Sequence, residues 1–372
     1  MDAFGARTDG LAGRRRRPFL IRSAANAALA EAILIPIAAV GVAFVLFGLF
    51  LAVVGSPPLE VFSSIYRGAF GTWFSWQNTL VRAAPLMLVA LCTTIPAQLG
   101  LVVIGGDGAV LLGGLMAALC GLVLAGAPAA VGLAVMAACA AVVGAGWIGL
   151  VGALRHYRGV NETISSLLFT YLAVSVFRHL VQGPLRDPET QNYPGTYPID
   201  PAFAIGEIPS TNIHWGLAAG IVACIAIWIV IKRTPFGQAM RVVGGNPRAA
   251  RIAGLPVGLL TVAACALGGA FAGLAGFFEV SAVIGRANSA LYAHYGLSAV
   301  LVSFVARHNA AAVIPAAIAV GGIRAAGGLV QRAHGLPDAT VMVFEGIVFL
   351  VVLWSASWYG RTPLSRMAAD GK

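Results

Sequence analysis

Lys232-Arg-Thr-Pro-Phe-Gly-Gln-Ala-Met-Arg-Val-Val-Gly-Gly-Asn-Pro-Arg-Ala-Ala-Arg-Ile-Ala-Gly254 is the longest polar interruption between apolar segments that carries charge of one sign only. Its charges are Lys232, Arg233, Arg241, Arg248 and Arg251, with no acid among them. Phe236, Met240 and Val243 recur at i, i+4 and i+7, which predicts a short helix with one apolar face and Arg241 pointing elsewhere. Gly237 lies inside that helix, and Gly244-Gly245 should break it. Asn246 as N-cap and Pro247 as first helical residue predict a second helix, which Gly254 and Pro256 end. A basic loop with an apolar-faced helix suits docking to a cytoplasmic partner. The plain alternative is a solvated loop that obeys the positive-inside rule and binds nothing.

Outward from this stretch the chain is overwhelmingly apolar. Of 372 residues, 59% are hydrophobic and 10% charged, and mean hydropathy is +0.87. A soluble domain carries about 25% charged residues, so this chain cannot cover a soluble surface and is read as an integral membrane protein. The net charge of +10 then follows from basic cytoplasmic loops and does not indicate nucleic acid. All five cysteines lie inside apolar segments without metal-ligand spacing, as small core residues do.

In chain order, residues 1–27 form a basic segment with Arg14 to Arg17 and Arg22. Arg16-Arg17-Pro18-Phe19-Leu20 looks like a twin-arginine signal, but the apolar run at 33–54 is too long for a signal core and lacks a cleavage site. That run is the first expected span. Others follow at 79–95, about 109–124, 128–154, 161–181, 213–231, 257–284, 311–330 and 338–354, with a glycine-rich irregular stretch at 96–108. Residues 297–306 form a segment too short to cross a ~30 Å core unless it is a half-helix packed within protein. The expected fold is all-α and polytopic, with about ten transmembrane helices including that short one and both termini cytoplasmic. Its parts are the basic segment 1–27, a transmembrane domain at 28–356 and a cytoplasmic tail at 357–372. Basic loops then fall inside. The proline-rich loop 184–212, with Asp187, Glu189, Asp200 and Glu207 against Arg186, falls outside.

Ionisable groups in spans are costly and usually face the bundle interior or water. Asp107, Glu279, Arg324 and Glu345 qualify, as solute-path residues or as buried structural pairs. Glu162 follows the Asn161 cap and is read as helix-terminal charge. Gly269-x-x-x-Gly273 and Gly268-x-x-x-Ala272-x-x-x-Gly276 predict close helix packing. No phosphate-binding loop, histidine ligand pair or Ser/His/Asp set is visible, so no catalytic residue, metal site or cofactor is expected.

The stretch Phe236 to Gly254 resembles the coupling loop of the permease subunits of ABC importers for nucleosides and simple sugars, within the branched-chain amino acid/ribose permease superfamily. Gly159-Val-Asn-Glu-Thr-Ile-Ser-Ser166, Gly183-Pro-Leu-Arg-Asp-Pro188 and Tyr295-Gly-Leu-Ser-Ala-Val-Leu-Val-Ser-Phe-Val-Ala-Arg307 resemble further segments of that family, in the same order. The resemblance implies a membrane subunit of the bacterial inner membrane that pairs with a second permease, identical or different. It also implies a separate ABC ATPase subunit and an extracytoplasmic solute-binding protein. Phe236, Gly237, Met240, Arg241, Val243, Gly244, Asn246, Pro247, Arg248 and Arg251 would carry ATPase coupling, with Phe236, Met240 and Val243 as apolar contacts and the arginines as polar contacts or lipid anchors. Asp107, Glu279, Tyr295 and Ser303 would line the solute path. Leu101-Val-Val-Ile-Gly-Gly-Asp-Gly-Ala109 departs from the family pattern, placing Val103 and Ala109 where Asn and Gln are usual. An ion- or proton-coupled secondary transporter using Glu279 and Arg324 is the alternative.

Overall fold

The computed structural model describes residues 38–189 and 193–356. The basic segment 1–27, the start of the first expected span and the tail lie outside the described residues. Thirteen α-helices are described: α1 (Ala38–Val53), α2 (Pro58–Phe70), α3 (Trp73–Ala97), α4 (Gly106–Val123), α5 (Ala129–Arg158), α6 (Glu162–Gln182), α7 (Gly216–Arg233), α8 (Pro235–Gly245), α9 (Pro247–Ile252), α10 (Val257–Phe278), α11 (Tyr295–Val305), α12 (Ala310–His334) and α13 (Ala339–Ala356). Seven of the ten expected spans are helices long and apolar enough to cross a membrane, and eight if the broken pair α1–α2 counts as one. The expected spans represented by α1, α11 and α13 fall short of that test as single helices. Among the described residues, β pairing is confined to two isolated bridges.

Two element boundaries depart from the sequence expectation. α3 begins at Trp73, because the Thr72 hydroxyl accepts from the Ser75 amide and starts the helix six residues early. α4 begins at Gly106, which places Asp107 in the first turn of a helix and shortens the irregular stretch to 98–105.

The described residues form two compact units, one of residues 38–58 and 346–356 and the other of residues 59–345. In the first, Ala39 and Ala43 pack with Val351, Ile347 and Val348. In the second, α10 is the central helix and packs against α5, α3 and α4. The predicted small-residue face is what permits this. Gly113 and Gly144 lie against Gly273, and a Cβ on Gly113 would sit 2.6 Å from the Gly273 Cα. At Glu279 the helix widens into a π-helical turn that runs to Ile284.

The external-loop candidate folds onto that turn through backbone bonds. Ile205 N donates to Ser281 O, Ile199 N to Gly285 O and Thr196 N to Ala287 O, all at 2.9 Å. Arg286 pairs with the buried Asp187 at 3.8 Å.

Candidate functional site

Two polar constellations stand out in an otherwise apolar unit. The first is the segment that opened the sequence reading. Thr234 caps α8 by accepting from the Gly237 amide, and Asn246 caps α9 by accepting from Arg248 N and Ala249 N at 3.0 and 3.1 Å. The break falls at Asn246 in extended backbone, since Gly244 and Gly245 finish α8.

The apolar face of α8 points into the chain itself. Met240 is 0% and Val243 2% exposed, and Phe236 is half-buried. This corrects the expectation that Met240 and Val243 supply contacts to another protein: they seat α8 on its own bundle. The outward surface is made by Arg241, Val242, Pro247, Arg248, Arg251 and Ile252, all exposed.

Beneath α8 a chain of contacts leads to α11. Gly244 rests on the Gln98 carbonyl so closely that a Cβ there would collide with it. Gln98 Nε2 donates to His308 O at 2.8 Å, Ser303 Oγ bonds His308 Nδ1 at 2.9 Å, and Thr94 Oγ1 bonds Ser303 Oγ at 2.8 Å. Ser303 is therefore an internal tie between α11 and α3, fully buried, where a solute-path role was expected. Burial pushes the His308 imidazole below its ordinary pKa, which favours the neutral form. A pKa lowered in the folded state means that the unfolded chain binds protons more readily at acidic pH. Stability from this site is present above the ordinary histidine range and is lost as pH falls through it. The thermal midpoint is expected to drop more between pH 7.5 and 5.5 in the parent than in His308→Gln; equal drops would remove His308 as the cause.

The second constellation surrounds the start of α11. Asp107 Oδ1 accepts from the Gly296 amide at 2.7 Å. Glu279 lies close to the Tyr295 hydroxyl and within electrostatic reach of Arg82 of α3. Arg324 stacks over the Tyr295 ring at 5.0 Å, donates to Ala293 O and to Ser298 Oγ, and pairs with Glu345 at 3.7 Å. Ser298 Oγ also donates to Glu345. Three of the four expected path residues, Asp107, Glu279 and Tyr295, thus converge, and each is at most 7% exposed. Arg324 and Glu345 join them as a buried pair.

Val103 and Ala109 are both fully buried, and Val103 O accepts from Thr93 Oγ1. The turn in which they replace amide side chains is packed protein. Glu162 does more than charge a helix end, pairing with Arg155 at 3.2 Å across the α5–α6 turn.

Sequence reasoning missed Arg82 and Arg178, exposed cations within α3 and α6. The signal was available, since each is an arginine inside a largely apolar run.

Comparison with known proteins agrees with this architecture. Residues 75–353 match the family described as branched-chain amino acid transport system / permease component. The glucose ABC transporter permease protein TsgB13 of Haloferax volcanii is 31% identical over 86% of this chain and 87% of its own length. The guanosine ABC transporter permease protein NupP of Bacillus subtilis is 25% identical over 88% and 94%. The probable riboflavin import permease protein RfuC of Treponema pallidum is 26% identical over 74% of each chain. No solved structure matches significantly. Family membership sets aside the ion-coupled alternative: the chain belongs to the branched-chain amino acid transport system permease family and is a multi-pass permease subunit of an ABC transporter, with ATP hydrolysis in a separate chain.

Proposed function

We propose that this chain forms half of the path of an ABC importer for a nucleoside or simple sugar in a bacterial cytoplasmic membrane. Its partners in that reading are a second permease subunit, identical or different, an ATPase subunit and an extracytoplasmic solute-binding protein. Residues 28–356 make the transmembrane domain, with ten helical segments crossing or entering the bilayer. The segment 1–27 and the tail 357–372 lie in the cytoplasm. The loop 232–254 is then cytoplasmic and 184–212 external, an arrangement supported by their opposite charge.

The observation that carries the reading is the seating of α8 on Gln98. α8 presents Arg241 and its neighbours outward while Met240 and Val243 are buried and Gly244 lies against Gln98, just past the end of α3. A push delivered to the outer surface reaches Ser303 of α11 through Gln98 and His308. A rigid, two-sided helix of this kind is a physical connector between two sites. Phe236, Gly237, Asn246, Pro247, Arg248 and Arg251 complete the coupling segment, and Asp107, Glu279 and Tyr295 form a polar floor beside the path.

The test is copurification and transport by detergent-solubilised and reconstituted complex carrying Gly244→Leu. We expect the ATPase subunit to come down with the parent and the variant to hydrolyse ATP with at least roughly tenfold less solute moved per ATP, since overpacking a close contact costs about 1–3 kcal/mol. Tight coupling in Gly244→Leu, or no ATPase with a well-folded parent, would sink the reading.

A further inference from the structure

One face of α6 does not suit lipid. Tyr171, Ser175, Arg178 and Gln182 are spaced 4, 3 and 4 residues apart, which places them within an arc of roughly 60° at 100° per residue. All four are exposed, Tyr171 at 60%. Towards the α6 N-terminus the same stripe turns apolar, with Ile164, Leu167 and Leu168 exposed. A membrane helix that is polar along one outer stripe faces water or protein there, because an arginine against hydrocarbon is expensive.

A small, partly open cleft lies beside this stripe, lined by Arg178 and Gln182 together with Phe177, Val181, Ser289 and Tyr292. Its lining is apolar with a few convergent polar groups, the composition of a surface that meets a small molecule. Tyr292 shares the cleft lining with Arg178, and its ring packs on His294 at 4.2 Å. The cleft therefore brings together the Arg178 guanidinium, the Gln182 amide and the aromatic side chains of Phe177 and Tyr292.

Resting on the importer reading, we infer that the outer stripe of α6 and Tyr292 form the cargo-contacting wall, and that Arg178 determines specificity by gripping a flat solute with two adjacent acceptors on one edge, as a 6-oxopurine nucleoside such as guanosine presents. A guanidinium fork pairs two donors with the O6 and N7 acceptors of guanine, and aromatic rings stack on the base. A lysine supplies charge without that fork.

The test is reconstitution of the whole complex in proteoliposomes, with guanosine and glucose as labelled probes and solute moved per ATP hydrolysed as the readout. This ratio is taken at saturating solute-binding protein, so it reports the permease. Guanosine transport is expected in the parent, with a fall of roughly tenfold or more per ATP in Arg178→Lys and Arg178→Ala, the loss of one bidentate contact. ATPase copurification should persist in both, and Leu172→Ala should match the parent. An Arg178→Lys variant equal to the parent overturns the inference, because a headgroup anchor tolerates lysine. Glucose moved in place of guanosine, or neither moved, overturns the ligand class. Absence of the ATPase from the parent complex instead fails the importer reading, and the inference with it.

Discussion

Gly273→Val is expected to abolish recovery of the folded permease. Gly273 stands where α10 meets both α5 and α4, and a Cβ at that position would collide with the Ala140 carbonyl oxygen and approach the Gly144 Cα at 3.3 Å. The obstacle is the backbone of α5, so no rotamer change relieves it. Membrane helices have no hydrophobic force drawing them together and depend on close packing, so α10 must move away from α5 to admit the side chain. Overpacking a tight site costs about 1–3 kcal/mol, and a clash with a neighbouring helix backbone belongs at the upper end or beyond. Fluorescence-detected gel filtration of detergent extracts should show aggregate in place of the parent's single peak. Gly146→Ala is the control, since nothing lies within 4 Å of a Cβ there. A Gly273→Val protein with the parent's profile and thermal midpoint would mean that the α4–α5–α10 packing is wrong.

The second large effect concerns Arg324 and Glu345, whose side chains are 8% and 9% exposed. Two opposite charges inside an apolar bundle repay their desolvation only while both are present. Arg324→Met leaves Glu345 with only the Ser298 hydroxyl as a hydrogen-bond partner, and frees the carbonyl oxygen of Ala293. Glu345→Met leaves a buried guanidinium short of its carboxylate. Each single change is expected to cost about 3–5 kcal/mol. The double variant should cost clearly less than the sum, because it strands no charge. It should not return to the parent, because Arg324 also holds the backbone ahead of α11. Thermal midpoints of the three variants in one detergent give the coupling directly. Strict additivity would show that the two groups stabilise the bundle independently.

Both residues were legible in the sequence as ionisable groups in spans, but their pairing was not. Arg324 and Glu345 are on different helices, and only tertiary packing brings them within reach. The same division runs through the rest of the molecule. Local chemistry announced the helices of the coupling segment, since Pro247 and the Asn246 side chain act within three residues of each other. It could not say which way the apolar face would turn, and Met240 and Val243 turn inward. The glycines at 105, 106 and 108 read as a loop, yet α4 starts among them, because Gly105 and Gly106 are pressed against Ser166 and Val89 where a larger residue would not fit. The α6 stripe was present in the spacing of Tyr171, Ser175, Arg178 and Gln182. It was hidden by a hydropathy reading that averages over the whole span and so dilutes one polar face among three apolar ones.

The bond from the Gly296 amide to Asp107 has an electrostatic consequence. α11 has 11 residues, about 16 Å at 1.5 Å per residue, so it reaches only partway across a ~30 Å core. One of its ends therefore stops inside the protein, where its aligned peptide dipoles leave about half a positive charge with no water to screen it. A carboxylate is placed against that end, on the amide of the helix's second residue. Asp107 is thus the counter-charge of a truncated helix, and most of its field is spent on that helix before any solute arrives. It can hold α11 and α4 together through the transport cycle as a hinge pin does, while recognition is left to side chains whose donors remain uncommitted.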